Sequence, residues 1–167
     1  MISELYYKAL APLIEFRGGK PYWIGRGCLA GCIGSHGYRQ VGFSLDGIAK
    51  TILAHRVSFY ISNGYLPRRV DHVDGDKDNN DISNLRECSQ SQNMMNRRKG
   101  LGVSSSQYKG VHWNKANGNW NSRIGIGGRS AHLGCFKSEH DAADAYNRAA
   151  TTKFGEFAKL NIIEEIT

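Results

Sequence analysis

The chain has 167 residues, 40% of them hydrophobic, and a formal net charge of +7. That length holds one ordinary domain or two small ones, and the apolar share is enough for a core, which excludes a wholly disordered chain. No apolar run nears the about 20 residues needed to cross a bilayer. Residues 1–17 carry Glu4 and Glu15 and lack the basic start and long apolar stretch of a signal peptide, so a soluble, cytoplasmic protein is expected.

Along the chain, residues 1–53 are rich in Gly and aromatics. Within them, 20–26 (KPYWIGR) and 37–44 (GYRQVGFS) read as short strands broken by Gly turns. Residues 54–63 (AHRVSFYISN) put Val57, Tyr60 and Ile61 at helical spacing, and Gly64 ends the run. Residues 70–72 and 84–88 then read as strands. Ser89 caps a short helix with Gln92 three residues on, a capping-box spacing. Residues 99–107 (KGLGVSSSQ) have the composition of a tether. Beyond it, 108–114, 120–126 and 130–136 read as three strands, with Asn117-Gly118 and Gly127-Gly128 as turn signals. A helix follows, capped by Ser138 and carrying Ala142, Ala145, Tyr146, Ala149 and Ala150 on one face. The expected organisation is a first module over 1–98, a linker over 99–107 and a second module over 108–167.

Cys28, Cys32, Cys88 and Cys135 supply only one close pair, so neither a zinc site nor a disulfide framework is expected. Charge is unevenly spread. Residues 16–45 and 88–138 contain no Asp or Glu, whereas Asp71, Asp74, Asp76, Asp78 and Asp81 collect between them. Two basic arms around an acidic knot suit a polyanion gripped on both sides of a metal site.

Phosphodiester hydrolysis needs a base near neutral pH, for which His is suited, and a hard divalent cation held by oxygen ligands. Asp71 and His72 are adjacent. Strand neighbours point to opposite faces, so the pair serves both needs only at a bend or a strand end. A hairpin over residues 75–81 would bring Asn93 beside Asp71, and both supply oxygens. Asp74, Asp76 and Asp78 imitate the start of a calcium loop. Asn79 stands where that loop requires Gly, and Leu85 where it requires Glu.

The Asp71-His72 pair, Asn84-Leu85 and Asn93 nine residues later resemble the HNH nucleases, especially phage intron homing endonucleases in which Asn replaces the final His. His55-Arg56 and the string of residues 71–80 fit that subgroup, and the likeness covers roughly residues 20–97. It implies His72 as general base, Asp71 and Asn93 on one divalent ion (Mg2+ or Mn2+), Asn84 as a pin that orients the loop, and Asn79 and Asn80 securing it. His55 either contacts phosphate or braces the core.

In the last module, strict alternation puts Val111, Trp113, Trp120, Ser122, Ile124, Ile126, Ala131, Leu133 and Cys135 toward the helix. His112, Asn114, Asn121, Arg123, Ser130 and His132 then form an open face with donors and no acid. Residues 106–161 resemble the APETALA-type (ethylene-response-factor) DNA-binding domain, through Tyr108-Lys-Gly-Val, Trp120, Ile124, Leu133-Gly134, Phe136, Ala142-Ala143, Tyr146, Arg148-Ala149-Ala150, Gly155 and Leu160-Asn161. This resemblance implies DNA binding. It does not carry over the plant target, because His112 and Asn114 replace reading arginines and Arg123 stands where an acid is usual.

The expectation is therefore an α+β protein. It comprises a ββα-metal HNH module preceded by an antiparallel β region, then a three-stranded antiparallel sheet backed by one helix. The expected partner is double-stranded DNA, cut or nicked by a monomer. Arg17, Lys20, Arg26, Arg39, His55, Arg97, Lys109, His112, Asn114, Arg123 and His132 are the candidate DNA contacts. A non-catalytic DNA-binding regulator on the same fold is the alternative.

Overall fold

The computed structural model describes residues 4–97, 99–100 and 104–163. The chain divides into two compact units, Met1–Ser89 and Gln90–Thr167. Among the described residues all strand pairs are antiparallel, in four small sheets. Residues 101–103 of the expected tether lie outside the described residues.

In the first unit, helix α1 (Glu4–Leu10) buries Tyr6, Tyr7 and Leu10. Strands β1 (Ile14–Arg17) and β2 (Lys20–Trp23) form a hairpin. The run expected as a strand through Arg26 stops at Trp23, because residues 24–26 turn around Gly25 at φ +80°. Strands β3 (Cys32–Ile33), β4 (Arg39–Leu45) and β5 (Ile48–Leu53) make one sheet in that order. Asp46-Gly47 joins β4 to β5 with both residues at positive φ, the two-residue turn that matches strand twist.

Helix α2 (Ala54–Asn63) ends, as its sequence predicts, at left-handed Gly64. Val57 and Tyr60 are buried, whereas Ile61 is exposed. The core joins Tyr7, Leu10, Ile14, Val41, Ile52, Val57 and Tyr60 from α1, β1, β4, β5 and α2. A hairpin of β6 (Val70–His72) and β7 (Leu85–Glu87) completes the unit.

The second unit begins with helix α3 (Gln90–Met95). Strands β8 (Val111–Asn114), β9 (Asn119–Ile126) and β10 (Arg129–Phe136) form a sheet with β9 central. Gly127 and Gly128, at φ +57° and +78°, make the two-residue turn between β9 and β10. Helix α4 (Glu139–Phe154) starts at Ser138, whose Oγ accepts from the amides of His140 (3.1 Å) and Asp141 (3.5 Å). Ala142, Ala143, Tyr146, Ala150 and Phe154 are its buried face. Small residues there let the helix lie close on the sheet. At Gly110, φ is +79°, and a Cβ would stand 2.1 Å from the Tyr146 ring and 2.5 Å from Arg123 O, so no side chain fits.

Strict alternation fails in β10. Ala131 pairs with Ile124 and His132 with Arg123, but Gly134 pairs with Ser122, so Leu133 is an extra residue in a bulge. The bulge exchanges the faces beyond it. Phe136 packs on Tyr108, Val111, Ala142 and Ala143, while Cys135, expected inward, is exposed with its Sγ 3.6 Å from His132 Nε2.

Part of the Gly/Ser stretch is structured. Ser106 Oγ donates to Glu139 (2.6 Å), Gln107 N donates to the same carboxylate (3.3 Å), and Ser105 Oγ accepts from Trp113 N (2.8 Å). Residues 105–107 are thus bonded into the second unit.

Candidate active site and nucleic-acid interface

Asp71 and His72 close β6, and both are buried, at 6% and 4% exposure. The chain turns at once after His72: Gly75 N donates to His72 O (3.0 Å) with Gly75 at φ +77°. That is the strand-end position at which neighbouring side chains escape strict alternation. Across the hairpin, Arg86 donates to Asp71 Oδ2 from Nε (3.2 Å) and Nη2 (3.0 Å).

The loop between the strands is built from its own side chains. Asn84 Oδ1 accepts from Asp74 N (3.0 Å), and its Nδ2 donates to Asp74 Oδ1 (2.9 Å) and Asn79 O (2.9 Å). Asn79 Nδ2 donates to Asp74 Oδ2 (2.8 Å), and Asp76 N to Asp74 Oδ1 (2.7 Å). Burial acts to raise the Asp74 pKa, but the bonds from Asn79, the Asp76 backbone and Asn84 outweigh it and hold it below the usual carboxylate value.

Asn80 is fully buried. Its Nδ2 donates to Gly19 O (3.2 Å) and Asp78 O (3.0 Å), which turns Oδ1 toward His72 Nε2 at 3.2 Å. An amide oxygen only accepts, so Nε2 carries hydrogen and the neutral ring has its lone pair on Nδ1. Burial lowers the His72 pKa, and the Asn80 bond and the nearby Asp74, Asp71 and Asp76 offset only part of that. His72 is thereby kept a neutral base.

Two rings pack on it. His55, in the first turn of α2, meets His72 edge-on at 5.1 Å, and Tyr38 lies 5.3 Å from His55 and 5.9 Å from His72. Burial, with His72 and Arg56 adding to it, pushes the His55 pKa down to about 3, and its buried Nδ1 has no hydrogen-bond partner among the described residues. His55 is buried, at 5% exposure. Tyr38 escapes the sequence reading altogether. It precedes Arg39 in a basic strand, and nothing in its spacing points at His72.

His55 carries an expected result. Its pKa falls from 6.5 to about 3 on folding, so the unfolded chain binds the extra proton first as pH drops. Stability is complete above pH 6.5 and is lost as pH falls toward 3, by about 1.4 kcal/mol for each pH step in that window. Urea titrations of the wild type and His55→Gln across pH 3–7 measure this. The variant should show a distinctly flatter acid limb, and identical slopes would refute the assignment.

The expected DNA contacts divide. Arg17 is exposed, pairs with Glu15 and lies 5.3 Å from the Tyr22 ring centre. Arg26, Arg97 and Arg123 are exposed. On the outer sheet face, His112 pairs in register with Asn121, Asn114 with Asn119, and His132 with Arg123. His112 and Asn114 are half-buried and His132 is exposed, but Asn121 is buried at 6% and so is withdrawn from that face. Lys20 and Arg39 are used internally. Arg39 Nε donates to Asp78 Oδ1 (2.7 Å) and Nη2 to Oδ2 (3.1 Å), and Lys20 pairs with the same carboxylate. Arg39 is 7% exposed. Both are among the residues read from the sequence as DNA contacts, and here they fasten the acidic loop to β2 and β4. Lys109 is also engaged, through Met95 O and Arg97 O. Asn93 lies half-buried on α3, in the second unit.

Residues 53–95, which run from the start of α2 through the hairpin to α3, match the family described as HNH endonuclease. This segment of the chain is thus similar to the HNH endonucleases. Across 134 residues, 79% of this chain, it is 34% identical to an uncharacterised HNH endonuclease of Acanthamoeba polyphaga mimivirus, covering 66% of that protein. It is 41% identical over 75 residues to DNA endonuclease I-HmuI of Bacillus phage SP01, 42% of this chain and 43% of the relative. The solved structure titled "DNA binding and cleavage by the HNH homing endonuclease I-HmuI" aligns at 35% identity over 47% of each chain, with a TM-score of 0.38. The chain is also 40% identical over 73 residues to the AP2-like ethylene-responsive transcription factor TOE2 of Arabidopsis thaliana, 44% of this chain but 15% of that protein. The chain thus spans only part of the length of each of these relatives. No helix among the described residues is long and apolar enough to cross a membrane.

Proposed function

We propose that the chain hydrolyses phosphodiester bonds of double-stranded DNA with one divalent cation, as a site-directed, phage-type homing endonuclease. The observation that carries this reading is the buried Asp71-His72 pair at the end of β6, with His72 Nε2 bonded to Asn80, inside a segment matched to the HNH family. His72 Nδ1 takes the proton of the attacking water. Asp71 and Asn93 would hold Mg2+ or Mn2+, and a carboxylate and an amide offer the hard oxygens such ions prefer. The ion would supply charge neutralisation on the phosphate and the leaving oxygen. Asn84 holds the loop in register with His72 through Asp74 and Asn79.

The second unit is read as an APETALA-type DNA-binding domain. The partial likeness to the plant factor and the acid-free outer face with His112, Asn114, Arg123 and His132 support that reading. Its role is to raise the effective concentration of the catalytic hairpin on its target.

The test is supercoiled plasmid incubated with the protein and Mg2+ or Mn2+. Conversion to nicked or linear DNA is expected, and EDTA should stop it. Cleavage that persists in EDTA would exclude the metal, while DNA binding with no cleavage under either ion would leave a regulator on an HNH fold.

A further inference from the structure

Lys109 is one of the candidate DNA contacts, and its ammonium is directed at a helix end. Nζ donates to Met95 O and Arg97 O, each at 2.7 Å. Met95 is the last residue of α3 and Arg97 lies two positions beyond it, and the last carbonyls of a helix have no partner within it. A cation there also meets the negative end of the helix dipole. Burial, with Arg97 and Lys159 adding to it, brings the Lys109 pKa down to about 8, so the group is still mostly charged at pH 7.

The Lys109 backbone is fixed on both sides. Its N–H donates to Asn161 Oδ1 (2.6 Å), and Asn161 Nδ2 donates to Lys109 O (3.1 Å). Asn161 is fixed in turn by Asn147 of α4, which donates from Nδ2 to Asn161 O (3.0 Å) and accepts from Asn161 N at Oδ1 (2.8 Å). The next residue is Gly110, where a Cβ would meet the Tyr146 ring of α4 at 2.1 Å. A chain of hydrogen bonds therefore runs from α4 through Asn161 and Lys109 to the last turn of α3. Met95 adds an apolar anchor against Ile124, Tyr146, Ala150 and Phe154. Six residues are far too few for a helix to persist alone.

We propose that Lys109 is a positioning residue for Asn93, clamping α3 onto the second unit so that the amide Asn93 offers to the metal is held in place. The proposal rests on reading Asn93 as a metal ligand. The second unit then holds part of the catalytic machinery in shape, besides whatever DNA it contacts.

The test uses the full chain with Lys109→Met, Lys109→Arg and Asn161→Ala. Charged hydrogen bonds of this kind are worth a 10- to 100-fold change in local opening, by rough conversion. Hydrogen exchange at the amides of residues 93–97 should quicken by about that factor in Lys109→Met and Asn161→Ala, and stay near wild type in Lys109→Arg. The Mn2+ concentration giving half-maximal cleavage should rise several-fold in the same two variants, with DNA affinity and its salt dependence unchanged. Asn161→Ala keeps every charge, so it separates clamping from phosphate contact. Unchanged exchange, with weaker DNA binding and a shallower salt slope in Lys109→Met, overturns the proposal in favour of a phosphate contact. If the wild type cleaves no DNA, the proposed function fails while the exchange result still decides the clamp. Should Lys109→Met lose its fold by circular dichroism, the Asn161→Ala exchange decides alone.

Discussion

Replacing His72 with alanine should slow cleavage by about 100- to 10,000-fold, the usual cost of losing a positioned general base. The expectation follows from geometry. Asn80 cannot reverse its amide, because Nδ2 is committed to Gly19 O and Asp78 O, so His72 keeps hydrogen on Nε2 and its lone pair on Nδ1. Burial holds the ring neutral. Single-turnover rates at saturating DNA isolate the chemical step, and gel-shift titration should give an affinity close to wild type. His72 lies inside the hairpin, so a thermal melt must accompany both measurements. Wild-type rates in a folded variant would remove His72 from the mechanism.

The second large effect is on stability. Asp78→Ala should cost about 3–5 kcal/mol, the range for breaking a buried ion pair from one side. Arg39 is the reason. Its side chain is 9% exposed and spends Nε and Nη2 on Asp78, so removing the carboxylate strands a buried charge. Lys20 loses its partner too, but it is more exposed and should contribute less. A double variant, Arg39→Met with Asp78→Leu, removes both charges and should recover much of the loss. Urea unfolding of the two single variants and the double forms the cycle. A loss below about 1 kcal/mol in Asp78→Ala would mean that the loop is not anchored through Arg39.

These two sites show what the sequence carried and what it hid. The hairpin that carries Asp71, His72 and Asn84 was legible because its spacing is short, and Asn84 reaches Asp74 and Asn79 only ten and five positions away. Helix α2 was legible because its periodicity and terminal Gly64 agree. The grip of Arg39 on Asp78 spans 39 positions, and no local pattern distinguishes a basic residue facing DNA from one facing a loop. The same limit applies to Tyr38 over His72. Helix α1 and strand β5 were overlooked although their signals were local: Tyr6, Tyr7 and Leu10 on one helical face, and Asp46-Gly47 as a hairpin turn. In β10 a single bulged residue defeated alternation and exchanged Cys135 with Phe136, because period-two reasoning has no memory of a lost register.

The clamp on α3 bears on how such nucleases can be recombined. Composition invites a crossover in the Gly/Ser stretch, where one C-terminal module would be exchanged for another. A chimera joined there would lose Lys109, Asn161 and the cluster that seats Met95, and would inherit α3 with its last carbonyls uncapped. The natural seam lies upstream, between Ser89 and Gln90, where the two compact units divide. Grafts cut at that seam carry the helix together with the fold that shapes it, so in this chain the second unit and the Asn93 helix are exchanged as one piece.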